Sequence, residues 1–195
     1  MKSLFVVALA LALCSLGQSQ PQPIPPKEVL GPNNAYNDAL YGVSVTYPEG
    51  WVVRDAQRWG KNNEENTVFF TAPSPSQAKP SMYYQMFSPT MPAPEAGKIE
   101  TYLRDIAAAK AKSRVGAGLK DYKNVPDSFA FKQIAGRPAA SYFAVFTLRG
   151  QVTEEYFIRI VGEKGYVMFF VQGPAEDVTA LRGSVDQMAA TVHVP

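Results

Sequence analysis

The stretch that decides the fold runs from Ala140 to Gln172: ASYFAVFTL (140–148), TEEYFIRIV (153–161) and YVMFFVQ (166–172). All three runs are rich in aromatic and β-branched residues, the side chains that fit a pleated, half-buried surface. Between them lie only Arg149-Gly150-Gln151 and Gly162-Glu163-Lys164-Gly165. A parallel crossover needs a dozen or more residues, so the three strands follow one another as an antiparallel meander.

Working outward, period-two alternation marks Tyr41–Tyr47 as a strand, and Pro48-Glu49-Gly50 turns it into a second one at Trp51-Val52-Val53. Thr67–Ala72 and Met82–Phe87 are two further strands. The segment Pro73–Pro80 between them is proline-rich, neither helix nor ladder, and reads as a long hairpin connection. From Glu95 to Arg114 the spacing turns helical, with Ile99, Tyr102, Leu103 and Ile106 on one face, prolines upstream, and Gly116 and Gly118 to stop it. A short strand is expected around Phe129–Phe131. A closing helix spans Ala175–Ala190, with Glu176 and Asp177 in its first turn and Val178, Leu181, Val185 and Met188 as its inner stripe. Thr191–Val194 suits a short edge strand. The expected fold is α+β: an antiparallel sheet of about six to seven strands flanked by two main helices.

With 195 residues, 46% of them hydrophobic and 18% charged, the chain suits a single domain and excludes an extended charged tail. Nineteen basic against seventeen acidic residues give a net charge of +2, which supplies no electrostatic reason to bind nucleic acid or an anionic membrane. Lys2 precedes an apolar run, Leu4–Leu13, too short for the roughly 20 residues of a membrane span. Small or polar residues follow at Ser15, Gly17 and Ser19, completing the pattern of a cleavable export signal over residues 1–19; cleavage after Gly17 also satisfies the small-residue rule. The expected location is therefore secreted or periplasmic. Cys14 raises the idea of a lipid anchor, but Leu13 stands where a lipoprotein signal calls for Gly, Ala or Ser, so none is expected. Cleavage removes the single Cys and with it any disulfide. Residues 20–35 follow as a proline-rich linker, and 36–195 form the domain.

The run YGVSVTYPEGW (41–51), the Gly136-Arg137-Pro138-Ala139 turn, the meander from Tyr142 to Gln172 and the helix Asp177–Ala190 occur in the order found in the PsbP-like superfamily, which the chain resembles over about Tyr36–Val194. The resemblance implies an α/β/α sandwich, an antiparallel sheet between helices. That superfamily includes an extrinsic photosystem II subunit, a nuclear import factor and many exported bacterial proteins of unassigned role. It carries no shared active site, and the export signal makes the exported bacterial branch the nearest analogue.

Catalytic motifs are scarce. The single histidine, His193, has no second His or retained Cys with which to hold a metal. No Gly-x-Ser-x-Gly occurs, and Ser76-Gln77-Ala78-Lys79, which matches Ser-x-x-Lys, is bracketed by prolines rather than set on a helix. Glu154 and Glu155, adjacent on a strand, point to opposite faces and cannot pair as acid and base; they are expected on solvated surface, as are Glu64-Glu65 and Glu176-Asp177. Gly116-Ala117-Gly118 lacks the third glycine and the preceding strand of a dinucleotide fingerprint. No catalytic, metal or cofactor residue is therefore assigned.

Two aromatic groups stand out. Trp59 lies with Arg58 and Lys61 in a polar stretch that reads as a loop, a combination suited to partner contact. Tyr84, Tyr102 and Tyr142 could line a pocket between sheet and long helix. The expected function is thus an exported, non-enzymatic domain acting on a protein or envelope partner. The alternative is a periplasmic carrier of a small apolar or aromatic ligand held between sheet and helix. A hydrolase is the third class, recognised by Ser, Lys or Glu meeting within hydrogen-bond reach.

Overall fold

The meander forms as its short connections dictate. The computed structural model describes residues 22–23, 34–59, 65–72, 76–89 and 91–195; the stretch expected to be an export signal, residues 1–19, lies outside them. In chain order the elements are β1 (Gln22–Pro23), β2 (Ala35–Asp38), β3 (Val43–Thr46), β4 (Val52–Trp59), β5 (Glu65–Thr71) and β6 (Lys79–Met86). A 3-10 turn, Ala96–Lys98, leads into α1 (Ile99–Gly116). Then come β7 (Lys123–Asn124), β8 (Ala130–Ile134), β9 (Arg137–Leu148), β10 (Gln151–Val161), β11 (Gly165–Gly173) and α2 (Ala175–Thr191).

Among the described residues nine strands join one sheet, in the order β1-β4-β5-β6-β11-β10-β9-β7, with β8 also on the outer edge of β9. Every pairing is antiparallel. β2 and β3 make a separate hairpin. The sheet is larger than the six or seven strands expected because β1 and β7 are two-residue pairings too short to leave a periodic signal. The connection before β6 is also shorter than expected: Lys79 and Pro80 already pair with Gln172 and Val171. Proline is tolerated there because it sits at the start of the strand, where a missing amide breaks no interior ladder.

Two tight turns need left-handed backbone. Arg149 and Gly150, at φ 52° and 81°, join β9 to β10, and Ala135 and Gly136, at φ 50° and 73°, join β8 to β9. Both are two-residue turns of the primed kind, whose twist matches that of the flanking strands. At the end of α1, Leu119 N–H donates to Arg114 O (3.1 Å) and Gly118 N–H to Val115 O (3.1 Å). This is a Schellman closure with Gly118, at φ 102°, in the left-handed position.

Both sheet faces are covered. On one, Val68, Met82, Val167, Phe169, Ile158 and Ile160 pack against Val178, Val185, Met188 and Ala189 of α2 and against Val43 and Val45 of the small hairpin. On the other, Phe146, Phe157 and Met168 pack under Ala107 of α1, while Leu103 meets Ala140 and Val161. Each large side chain sealed in this way contributes roughly 1.5–3 kcal/mol. After α2 the chain threads back through the structure: His193 N–H donates to Ser44 O (2.8 Å), and Pro195 O accepts from Lys164 N–H (2.9 Å).

Candidate functional site

The chemically richest cluster lies between α1 and the sheet, and strand alternation builds it. Glu155, Phe157 and Arg159 are two residues apart on β10 and therefore share the face under α1. Across the ladder on β9 stand Ala144 opposite Glu155, Tyr142 opposite Phe157 and Ala140 opposite Arg159. The two alanines leave room for the long charged side chains. From above, Lys110 and Arg114, one helical turn apart on α1, complete the layer.

Glu155 is 0% exposed and both its oxygens are engaged. Tyr122 O–H donates to Oε2 at 2.6 Å, and Arg114 Nη2 lies 3.3 Å from Oε1. Lys110 Nζ sits 4.7 Å from the ring centre of Phe157 and 5.6 Å from that of Phe170, a cation over two aromatic faces. Burial pushes this lysine down to about 8; Glu155 opposes that shift, while Arg114 and Arg159 add to it. Arg159 is 3% exposed, and its Nε donates to Tyr142 O–H at 3.1 Å. Tyr142 itself is stacked between Phe129 and Phe157, at 4.6 and 4.7 Å between ring centres. Burial, together with the Glu155 charge, drives the Tyr122 hydroxyl well above its ordinary range. Three cations thus face one carboxylate in a largely dry layer.

A second buried polar knot lies on the opposite face. Asn66 Nδ2 donates to Tyr36 Oη (3.0 Å), to Asp38 Oδ2 (3.1 Å) and to Tyr84 Oη, and Tyr84 O–H donates to Asp38 Oδ2. Leu40 N–H caps Asp38 Oδ1 at 3.0 Å. This knot fastens the β2–β3 hairpin to β5 and β6 and keeps its members from solvent.

The residues singled out from sequence distribute unevenly over this frame. Arg58 and Trp59 are not in a loop; they are the last two residues of β4, opposite Asn66 and Glu65 of β5. The polar run could not reveal this because strand pairing at a sheet edge needs no apolar alternation. Lys61 lies outside the described residues. Tyr84 belongs to the α2 face and Tyr142 to the α1 face, so the three tyrosines do not converge; Tyr102, on α1, packs beside Leu103, Ala140 and Val161. The space around Tyr142 is filled by its two stacked rings. Glu155 is no surface residue either: α1 and Tyr122 bury it, whereas Glu154, on the other face, stays partly exposed. Lys79 begins β6, and Ser76 Oγ accepts from Ala78 N–H (3.1 Å), so this tetrad presents no helical Ser-x-x-Lys. His193 is exposed beside Ser44.

Sequence reasoning missed Lys110, Arg114, Tyr122 and Arg159. A usable signal was present: Glu155 and Arg159 sit at i and i+4 around Phe157, in a strand whose two faces are both apolar enough to be covered.

The architecture defines a class first, an α/β/α sandwich around one antiparallel sheet. No protein-family model matches the sequence, and no curated protein matches it. Among solved structures, cyanobacterial PsbP (CyanoP) from Synechocystis is similar with a TM-score of 0.59 at 14% identity, covering 85% of this chain and 95% of that one. LpqN of Mycobacterium tuberculosis, described as involved in cell envelope biogenesis, is similar with a TM-score of 0.53 at 10% identity, over 90% of this chain and 91% of that one. The fold is PsbP-like. Among the described residues, no helix is long and apolar enough to cross a membrane.

Proposed function

We propose that this protein is an exported, non-enzymatic accessory domain that works by binding a protein or envelope partner. The observation that carries the reading is the outer edge of β4. Among the described residues, only Gln57 and Arg58 of that edge have strand partners, Pro23 and Gln22. Among the described residues, the backbone from Val52 to Ala56 has its ladder on the β5 side alone, and on this reading its outward amides and carbonyls receive an incoming strand. Arg58 and Trp59 stand at the end of this edge and Lys61 follows two residues later, so the proposed contact joins main-chain pairing to an aromatic and two cations. The expected export signal of residues 1–19 and the proline-rich stretch after it belong to the same reading, as does the involvement of LpqN in cell envelope biogenesis. The buried cluster under α1 supports a non-enzymatic role in one respect: both oxygens of Glu155 are consumed inside the fold. A carrier built on Tyr84, Tyr102 and Tyr142 lacks support, since Tyr84 lies across the sheet from the other two.

The test is site-specific photocrosslinking in the native envelope, with a photoreactive residue at position 59 and, as control, at Thr179 on the exposed side of α2. The expected result is an adduct of defined mass at 59, absent at 179 and competed away by excess unlabelled protein. No adduct, or the same adducts at both positions, would overturn the reading.

A further inference from the structure

Arg114, in the last turn of α1, meets the sheet at Glu155. Toward the β9–β10 turn the same face of the sheet continues without that helix. Gln172 of β11 stands opposite Glu155, and Lys79 of β6 opposite Gln172. Thr153 and Gln151 follow at two-residue steps along β10, with Leu148 of β9 opposite Gln151, so strand alternation turns all five side chains to one side. Together with Arg149 in the turn, they wall a groove of about 290 Å³.

The walls of this groove are held in place. A Cβ on Gly173 would stand 2.7 Å from Ala78 Cα, and Asp177 Oδ2 accepts from Gln77 N–H at 2.6 Å, so the approach to β6 is clamped to the end of β11. The charge of the groove is one-sided. Lys79 and Arg149 line it, no acidic side chain of the described residues does, and among those residues neither cation has an ion-pair partner. Arg149 also stands at φ 52°, at the turn position where Asn, Asp or Gly fits with least strain, so the turn alone does not account for an arginine there. The amides of Gln151 and Gln172 make no side-chain hydrogen bond with other described residues and face the same space. Leu148 and Val152, 39% and 69% exposed, add an apolar rim.

We infer that this groove binds a sugar acid, with its carboxylate held between Lys79 and Arg149 and its hydroxyls on the amides of Gln151 and Gln172. Two cations with no acid beside them select one negative charge, and a guanidinium fork matches a planar carboxylate. A primary amide both donates and accepts, which suits hydroxyl groups; its carbonyl oxygen would oppose a ligand made of oxyanions alone. The apolar rim of Leu148 and Val152 fits the C–H face of a sugar ring, and the volume suits a molecule of one ring. The site is independent of partner binding at the β4 edge, since none of its residues belongs to β4.

The test is a heteronuclear NMR titration of the full chain at pH 7 with D-glucuronate and D-galacturonate as probes, in parallel with glucose, acetate and inorganic phosphate at matched ionic strength. The expected result is saturable binding of at least one of the two sugar acids, with the shifts centred on the amides of Gly150, Gln151 and Gly173. Glucose, acetate and phosphate should each bind at least tenfold more weakly. Arg149→Asn and Lys79→Gln should each lower the affinity at least fivefold, and Arg149→Asn should melt no lower than the parent, because Asn-Gly suits the turn. If Lys79→Gln fails to fold, Arg149→Asn decides the matter. Absence of saturable binding by both sugar acids overturns the proposal, as do shifts centred elsewhere, unchanged affinity in Arg149→Asn, or binding of glucose, acetate or phosphate at equal strength.

Discussion

Arg114, near the end of α1, reaches down to Glu155 in the middle of β10, with Nη2 3.3 Å from Oε1, and so ties the far end of the long helix to the centre of the sheet. Tyr122, on the loop that leaves α1, grips the other oxygen of the same carboxylate. One buried acid therefore fixes both the helix and the segment that follows it.

Glu155→Ala strands Tyr122 and removes the counter-charge from a layer that keeps three cations. A loss of about 3–5 kcal/mol is expected, as for other buried pairs broken on one side. Glu155→Gln keeps an acceptor of the same shape and should lose less, about 1–2 kcal/mol. Urea unfolding of the two variants measures the difference; equal losses would show that the charge is immaterial.

Lys110 makes stability depend on alkaline pH. Its folded value of about 8 lies below the ordinary 10.5, so between these limits the unfolded chain binds more protons than the folded one and stability rises with pH. The penalty is fully present below about pH 8 and gone above 10.5. Lys110→Met should flatten this rise and stabilise the protein at pH 7, by a gain on the order of 2 kcal/mol. Urea midpoints for parent and variant at pH 7, 8, 9 and 10 should converge as pH increases; parallel curves would refute the assignment.

Ala135, at φ 50°, pays the steric cost of left-handed backbone ahead of Gly136. Ala135→Asn installs the Asn-Gly pair that such a turn prefers and should add about 0.5–1 kcal/mol, or roughly 1–4 °C in melting temperature. Thermal unfolding followed by circular dichroism reads it directly.

Gly165 and Gly183 should respond oppositely to alanine. A Cβ at Gly165 would lie 2.3 Å from the carbonyl oxygen of Gln85, so Gly165→Ala forces β11 away from β6 and should cost more than about 2 kcal/mol. Gly183 lies inside α2 with open space around it, and Gly183→Ala should gain about 0.5–1 kcal/mol from helix propensity. Paired denaturation curves settle both.

The meander and both helices were legible because burial on a regular element imprints its own period, and because loops of three or four residues leave one way to connect strands. β4 beyond Val53 was not: Arg54-Asp55-Ala56-Gln57-Arg58-Trp59 has no alternation, and its place is fixed by pairing with β5 rather than by its own composition. Of the helical stripe, Leu103 is buried as expected, but Ala107 joins it in the covered face while Ile99, Tyr102 and Ile106 stay partly exposed, because a small side chain lets α1 lie close to the sheet. The candidate site was hidden for a related reason. Charged letters in a strand look solvated until the helix that covers them has been placed, and nothing local to Glu155 or Arg159 says that α1 will cross there.

The strand order also sets a timetable. β9, β10 and β11 pair with their neighbours in sequence and can assemble from local contacts, whereas β6 meets β11 across long loops, as between Gln85 and Tyr166, 81 residues apart, and Thr46 meets Thr191 across 145. The strands synthesised first must therefore wait for those synthesised last. While the chain is being made, β4 to β6 lack the edge that completes their sheet, so ordered tertiary structure arrives only when β11 and α2 have emerged, and until then the chain is open to whatever holds unfolded polypeptides.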